Sequence, residues 1–230
     1  MNFSYRIEKF VIEASKEYNS KGRMILDIGA ENTPYKKYFD MAKYFTHDVK
    51  QNKDKTISYV ADLNKGLQEI PDNTFDCIIC TQVLEHLIKP SVVFKEFYRI
   101  LKPNGKVFMT TNFIYQIHMP PNDYYRFTKY GLKYLGESNG FIVKHLNPQG
   151  GIFHVLSYIL TTLPINVFIK KINIFYYLYL TLFSIPIVLI NLTACVLDIF
   201  DREKKLTINY EVIYKKQVKK LKLIRKINPI

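Results

Sequence analysis

The chain has 230 residues, of which 48% are hydrophobic and 23% are charged, so it can form one domain with a sizeable core and is too apolar to be intrinsically disordered. The net charge of +13 is unevenly placed: residues 1–145 hold 21 Lys and Arg against 16 Asp and Glu, residues 146–200 hold two against one, and residues 201–230 hold ten against three. The basic tail suits anionic lipid or nucleic acid, and a solvated tail without a partner is the alternative.

Residues 1–20 are amphipathic and charged, which argues against a secretory signal peptide there. Apolar residues at helical spacing predict a first helix over residues 4–19. Thr33 followed by Pro34 predicts a second helix, with Thr33 as its N-cap and Pro34 at its first position. Further helices are predicted from Pro90 and from Thr128 to about Ser138, and strands at residues 23–28, 44–48, 57–60, 75–81, 106–111 and 141–146.

Strands and helices thus alternate along the first 146 residues. This alternation predicts an α/β fold with a doubly wound, mostly parallel sheet. Ligands of such sheets bind at the carboxyl ends of the strands, where the strand order reverses. The loop after Ile28 is therefore the expected position of a ligand.

The three cysteines are too few for a disulfide framework and indicate a reducing compartment. Cys77 and Cys80 lie three residues apart in a predicted strand, so their side chains point to opposite faces of the sheet. This spacing favours two buried packing residues over a metal or redox pair.

Three acidic residues follow successive predicted strands. Asp27 lies at the end of the first strand beside Gly29, Asp48 ends the second strand, and Asp62 follows the third. A carboxylate can accept hydrogen bonds from the two hydroxyls of a ribose or from an exocyclic amine. One Asp at a strand end is usually a turn former or a helix cap, but three in succession indicate a site for an adenosine-type ligand.

Five short motifs occur in a fixed order, namely LDIGA at 26–30, HD at 47–48, AD at 61–62, PDNTFDCIICTQVLEHL at 71–87 and RILKPNGKVFMTT at 99–111. Their order and spacing resemble the class I S-adenosylmethionine-dependent methyltransferases, the type 11 group in particular. Residues 118–141 also resemble a branch of this group found among polysaccharide and cell-surface sugar enzymes. Residues 206–214 resemble the family's last strand, which pairs antiparallel beside the sixth.

The resemblance implies a Rossmann-like sheet, S-adenosylmethionine as the cofactor and a defined set of cofactor-binding residues. These are Asp27, Gly29 and Ala30 at the methionine end, Asp48 at the ribose, Asp62 and Leu63 at the adenine, and Gln82 beneath the methionine part.

The loop after the first strand has Glu31 and Thr33 at positions where the family often has further glycines. Glycines matter most where the backbone must approach a pyrophosphate, and S-adenosylmethionine has no phosphate. One glycine, Gly29, therefore suffices for the turn. The missing G-x-G-x-x-G pattern argues against a dinucleotide.

Polar residues after the fourth and fifth strands form the predicted acceptor side. His86 and His118 are the candidate catalytic bases, since an unperturbed histidine pKa of about 6.5 suits proton transfer. A mixture of polar and aromatic groups suits a sugar or a phosphate-linked sugar, and a simple lead into the next helix is the alternative. The candidate substrate-binding residues are Asp123, Tyr124, Tyr125 and Arg126.

No metal is predicted at this site. In some relatives an E-x-x-E-H pattern binds a divalent metal, but here Gln82 takes the first acidic position. A structural or substrate-edge role is therefore preferred for Glu85 and His86.

Residues 147–205 are predicted to be an apolar helical insertion. The 26 residues at 172–197 carry no charge, and about 20 such residues can span a bilayer. Pro186 would kink a spanning helix, and a final strand at 206–214 would return the chain to the side that it left.

A hairpin of two crossings would put Lys170 and Lys171 on the far side of the membrane, against the positive-inside tendency. Helices that lie in, or dip into, the cytoplasmic leaflet fit better, with the basic tail adding attraction to anionic lipid. A soluble helical cap or a dimer interface is the alternative.

These patterns predict a cytoplasmic methyltransferase, peripheral or monotopic on the membrane, that acts on a small-molecule or sugar-bearing acceptor (a glycan or glycolipid). Oxygen is the preferred acceptor atom, and nitrogen is the alternative. A membrane-attached scaffold that keeps the fold without turnover is the alternative. The modest charge of residues 1–145 and the lack of a dedicated binding module disfavour nucleic acid. The predicted domains are residues 1–146 with 206–214, the insertion at 147–205 and a basic tail at 215–230.

Overall fold

Seven strands form one mixed sheet in the computed structural model of the chain, which describes residues 3–168 and 174–217. The strands are β1 (Met24–Ile28), β2 (Lys43–Asp48), β3 (Tyr59–Val60), β4 (Phe75–Thr81), β5 (Leu101–Asn112), β6 (Phe141–Gln149) and β7 (Asn209–Lys216). The helices are α1 (Phe3–Tyr18), α2 (Pro90–Ile100), α3 (Lys129–Ser138), α4 (Ile152–Phe168) and α5 (Ile174–Leu197).

The strand order is β3-β2-β1-β4-β5-β7-β6. The first five strands pair in parallel, and β7 lies antiparallel between β5 and β6. The predicted Rossmann-like, mostly parallel sheet with a final antiparallel strand is therefore confirmed. The strand order reverses between β1 and β4, which is where such sheets bind their ligands.

The segment after β1 contradicts the sequence prediction. No α-helix forms in the described stretch between β1 and β2, and only a 3₁₀ turn, Lys36–Tyr38, occurs there, without a side-chain cap. Thr33 has a φ of +55°, whereas an N-cap residue adopts extended backbone angles. Its N–H donates to the carbonyl of Ala30 at 2.6 Å, and this tight turn leads the chain to the fully buried ring of Phe39.

The two cysteines of β4, Cys77 and Cys80, pack on opposite faces of the sheet. Cys80 belongs to the larger core cluster, together with apolar residues of α2 and α3, and Cys77 belongs to a second cluster with α1. Burial raises the pKa of both thiols. The prediction that they are buried packing residues is confirmed.

The apolar helices α4 and α5 pack against each other as a hairpin between β6 and β7. Gln149 at the end of β6 pairs with Asn209 at the start of β7, so the chain leaves and re-enters the sheet at one place. Lys170 and Lys171, and the predicted tail beyond residue 217, lie outside the described residues. The proposed domain boundaries stay predictions.

Two carboxylates hold the first turn of α4 at this root of the hairpin. The N–H of Gly151 donates to Asp198 and the N–H of Ile152 donates to Asp201, each at 2.7 Å. Negative charge at a helix N-terminus also interacts favourably with the helix dipole. These polar contacts thus join the two ends of the hairpin at its base.

A substitution at Gly136 would test the packing of α3 against β7. A Cβ at this position would lie 2.3 Å from Cε1 of Tyr214, whose ring is fully buried. We expect Gly136→Ala to lower the free energy of unfolding by about 1–3 kcal/mol, because overpacking outweighs the gain in helix propensity. Chemical denaturation followed by circular dichroism measures the change.

Gly131 is the matched control in the same helix. A Cβ there would lie 3.6 Å from Oγ1 of Thr128, which is an ordinary contact. Gly131→Ala is expected to raise the free energy of unfolding by up to about 1 kcal/mol. Equal effects of the two substitutions would contradict the packing of α3 on Tyr214.

Candidate cofactor and acceptor site

Gly29 allows the loop after β1 to lie against the loop after β4. Its φ is +69°, and a Cβ at this position would lie 2.4 Å from Cγ2 of Val83. The N–H groups of Gly29 and Ala30 both donate to the carbonyl of His47 on β2, at 2.9 and 3.0 Å. Only glycine accommodates both the backbone angle and the close approach.

The backbone of this loop enters the left-handed region at Gly29, Glu31 and Thr33. The N-terminal N–H groups of a helix are what usually hold a phosphate at such a loop. No α-helix begins in the described stretch between β1 and β2, so the loop lacks that phosphate cradle. It therefore suits a ligand without a pyrophosphate.

Asp48, half-buried at the end of β2, fastens the same loop with both carboxylate oxygens. Oδ2 accepts from the N–H of Glu31 at 3.0 Å, and Oδ1 accepts from the N–H of Val49 at 2.7 Å. A carboxylate offers about four acceptor positions. Each oxygen can therefore accept one further bond, which is what two ribose hydroxyls require.

Asp62 caps the short 3₁₀ turn Leu63–Lys65 after β3. Its Oδ1 accepts from the backbone N–H and the side-chain amide of Asn64, both at 3.0 Å, so Oδ2 is the oxygen that can meet a ligand amine. Leu63 is 4% exposed and packs into the larger core cluster. Its backbone, rather than its side chain, is therefore the part within reach of a ligand.

Asp27 lies almost fully buried in β1. Its Oδ2 accepts from the hydroxyl of Tyr44 at 2.6 Å. Burial raises the pKa of Asp27 to about 7, and the bond from Tyr44 opposes this rise. A positive charge near Asp27 would lower this pKa and therefore favour the ionised carboxylate at neutral pH.

Gln82 directly follows β4 and is bonded to β5. It has a φ of +56°, its N–H donates to the carbonyl of Thr110, and its side-chain amide donates to Oγ1 of Thr110, each at 2.9 Å. Its side-chain oxygen can accept a bond from a ligand. Ala30 is 2% exposed, so it contributes backbone rather than side chain.

His86 and His118 lie next to each other on the acceptor side, edge to face, with ring centroids 4.7 Å apart. Nδ1 of His86 contacts the carbonyl oxygen of Asn122. Because a carbonyl only accepts, Nδ1 donates in this contact, and in the neutral imidazole Nε2 then has the free lone pair. Nδ1 of His118 lies 3.3 Å from Oδ2 of Asp123, within ion-pair distance but without hydrogen-bond alignment.

Asp123 and Arg126 form an ion pair that shapes the acceptor loop. Arg126 donates to both carboxylate oxygens, at 2.7 and 2.8 Å, and to the carbonyls of Gln116 and Tyr125. Arg126 holds the pKa of Asp123 well below its usual range. The Asp123 side chain is 2% exposed, so it organises the loop from inside, and its predicted contact with an acceptor stays a prediction.

Glu85 holds this loop on the sheet, which agrees with the structural role preferred for it from the sequence. Its backbone carbonyl accepts from the N–H groups of Tyr124 and Tyr125, at 2.9 and 3.3 Å. Its buried carboxylate accepts from Thr111 at 2.8 Å and Asn112 at 2.7 Å. The rings of Tyr124 and Tyr125 are left 43% and 38% exposed, so they can meet an acceptor.

Glu85, His86 and His118 each place one metal-ligating atom within 4.8 Å of the others. Both oxygens of Glu85 already accept hydrogen bonds, and Nδ1 of His86 is also engaged. The prediction that these residues are not metal ligands stays a prediction.

Comparisons with known proteins identify methyltransferases as similar to part of this chain. Residues 37–109 match a family model described as a methyltransferase domain. The chain is 46% identical over 44 residues to the ubiquinone biosynthesis O-methyltransferase of Pseudomonas putida. These 44 residues are 19% of this chain and 18% of that protein. The matched region thus spans less than a fifth of the length of this curated relative.

Solved structures share the fold at low sequence identity. A protein from Galdieria sulphuraria described as a sarcosine dimethylglycine methyltransferase has a TM-score of 0.61 and 14% identity, covering 93% of this chain and 86% of its own. Phosphoethanolamine N-methyltransferase 2 of Haemonchus contortus, in complex with S-adenosyl-L-methionine, has a TM-score of 0.54 and 16% identity, with coverages of 91% and 53%. Residues 37–109 therefore match a methyltransferase domain, and the described sheet has the fold of these methyltransferase structures.

The burial of Asp27 can be tested through the pH dependence of the free energy of unfolding. Its folded pKa of about 7 lies above the usual carboxyl value near 3.9, so between these values the folded state binds a proton that the unfolded state lacks. Its contribution to stability is present at low pH and is lost as the pH rises toward 7, by about 1.4 kcal/mol per pH unit. Equilibrium unfolding at pH 5, 6 and 7 should show this decline in the wild type relative to Asp27→Asn. Parallel pH profiles of the two proteins would contradict the buried position of Asp27.

Proposed function

We propose that the chain transfers the methyl group of S-adenosylmethionine to an oxygen of a polar small-molecule or sugar-bearing acceptor at a membrane surface. The observation that carries the proposal is the placement of Asp48 and Asp62 around a single-glycine loop, with His86 and His118 on the adjoining face. The acceptor atom and the sugar are the parts that rest on the sequence resemblance of residues 118–141.

The cofactor side fits S-adenosylmethionine residue by residue. When bound, this cofactor supplies a methyl group on a sulfonium that is already electrophilic, so the protein's main tasks are alignment and exclusion of water. Asp48 would accept hydrogen bonds from the ribose hydroxyls, and Asp62 would accept one from the adenine amine. Both would use the carboxylate lone pairs that their hydrogen bonds within the protein leave free. Asp27, beneath the loop, would ionise in response to the cofactor's positive charge.

The acceptor side fits the removal of a proton. A hydroxyl that gains a methyl group must lose its proton as the new carbon–oxygen bond forms. Nε2 of His86 has the free lone pair to accept that proton, and His118 is the second candidate. The exposed rings of Tyr124 and Tyr125 offer apolar faces with polar edges, which suit a sugar. No covalent intermediate with the protein is required.

The hairpin of α4 and α5 supports attachment to the cytoplasmic leaflet. Within the described chain, Tyr176–Leu197 is long and apolar enough to cross a membrane, and only 6% of its most apolar window is buried. Both ends of the hairpin return to the Gln149–Asn209 pair, so one crossing does not fit the fold. We therefore propose helices that lie in or dip into one leaflet, with the domain on the cytoplasmic side.

Calorimetric titration with S-adenosylmethionine tests the cofactor side. Asp48→Ala should weaken binding at least tenfold, because it removes hydrogen bonds to a charged group that are worth about 1.5–3 kcal/mol each. Asp54→Ala, an exposed acid in the following loop, is the matched control and should bind within about twofold of wild type. Absence of binding by the wild type would reject the proposed function.

Transfer of a radiolabelled methyl group into fractionated cell extract tests turnover. If a histidine is the base, His86→Ala or His118→Ala should lower kcat at least about a hundredfold while leaving S-adenosylmethionine affinity unchanged. Full activity in both variants would remove the histidines from the mechanism. Wild-type binding without transfer to any fraction would favour the non-catalytic scaffold.

A further inference from the structure

The hairpin is joined to the acceptor face by a series of aromatic rings. Tyr158 of α4 stacks on Tyr115 with centroids 5.3 Å apart and an interplanar angle of 19°. Tyr115 meets His118 edge on at 5.2 Å, and His118 meets His86 at 4.7 Å. The root of the hairpin and the candidate catalytic histidines therefore form one continuous surface.

The topology of the sheet explains why the root of the hairpin lies next to the candidate catalytic histidines. Asn209, the first residue of β7, pairs with Asn112 at the end of β5 and with Gln149 at the end of β6. The hairpin therefore emerges at the carboxyl edge of the sheet, the edge that also carries the cofactor and acceptor loops. An apolar group held by the hairpin would start within reach of the acceptor face.

Beyond Tyr158 the two helices enclose an apolar groove of about 360 Å³, a volume within the range of small-molecule sites. Its walls include Leu160, Pro164, Tyr179, Phe183, Pro186 and Ile187. The hydroxyl of Tyr179 donates to the carbonyl of Thr161 at 3.1 Å, and the hydroxyl of Thr161 donates to the carbonyl of Ser157 at 2.8 Å. These polar groups are satisfied within the hairpin, so the groove presents hydrocarbon.

We propose that this groove binds the hydrocarbon chain of a membrane lipid whose polar head is the methyl acceptor. The proposal rests on the proposed function and narrows it, because it makes the acceptor lipid-linked. Six residues of helix separate Tyr158 from Pro164, so the chain would run about 9 Å along α4 from the stacked rings into the groove. The head would lie at His86 and His118, and the chain would continue between the helices toward the membrane.

The distribution of charge along the chain favours a lipid, rather than the basic C-terminal segment of this protein, as the occupant of the groove. No charged residue occurs in α4 or α5, so a hydrocarbon meets no unpaired charge in the groove. Residues 218–230 carry five Lys and Arg and no acid, which makes the tail a poor match for an uncharged groove. The same basic segment suits the anionic surface from which a lipid would enter.

Substitutions at adjacent residues of α5 separate groove binding from membrane binding. Ile187→Trp fills the groove, whereas Val188→Trp adds a similar volume at a 54% exposed position that does not line it. Full-length proteins would be mixed with phosphatidylglycerol vesicles containing a 16-carbon fatty alcohol with a photoactivatable diazirine. We expect cross-links to groove residues in wild type and Val188→Trp, and at least a fivefold loss in Ile187→Trp, with all three proteins floating with the vesicles.

Methyl transfer from labelled S-adenosylmethionine into the lipid extract of cell membranes provides the second measurement. Ile187→Trp should lower lipid labelling at least tenfold, while Val188→Trp should label like wild type. Equal cross-linking or equal lipid labelling by the two variants would overturn the groove assignment, as would label found only in water-soluble products. Failure of the wild type to bind S-adenosylmethionine would instead reject the proposed function, and the cross-linking result would still decide whether the groove holds a chain.

Discussion

The antiparallel insertion of β7 between β5 and β6 is the constraint on which the rest of the structure depends. Because β7 runs against its neighbours, its first residue lies at the edge where β5 and β6 end. That edge already carries the loops after β1, β2 and β4, where ligands of parallel sheets bind. An apolar hairpin inserted before β7 must therefore emerge beside the site. The proposed link between membrane contact and acceptor choice follows from this topology.

Most polar groups of the site are engaged in building it. Asp48 fastens the first loop, Glu85 holds the acceptor loop, and Asp123 is paired with Arg126. The groups left for a ligand include the remaining lone pairs of the carboxylates, the side-chain oxygen of Gln82 and Nε2 of His86. Such an arrangement is rigid before a ligand arrives, so less ordering is required on binding.

Sequence reasoning recovers the fold because buried apolar strands such as β1 and β4 alternate with amphipathic helices such as α1 and α2. It fails after β1, where Thr33-Pro34 has the local signature of a helix start but the tight turn at Ala30 and the burial of Phe39 decide otherwise. The structural role of Glu85 depends on partners 26 and 27 residues away, and the stacking of Tyr158 on Tyr115 joins segments that are 43 residues apart. Spacing along the chain contains no signal for such contacts.

We propose that this fold performs methyl transfer on an acceptor that the membrane supplies. The most direct measurement is the formation of S-adenosylhomocysteine by the purified full-length protein after addition of cell membranes or of the soluble extract from the same cells. We expect sustained formation of S-adenosylhomocysteine with membranes, well above that with the soluble extract, and equimolar loss of S-adenosylmethionine. Binding of S-adenosylmethionine without S-adenosylhomocysteine from either fraction would contradict it.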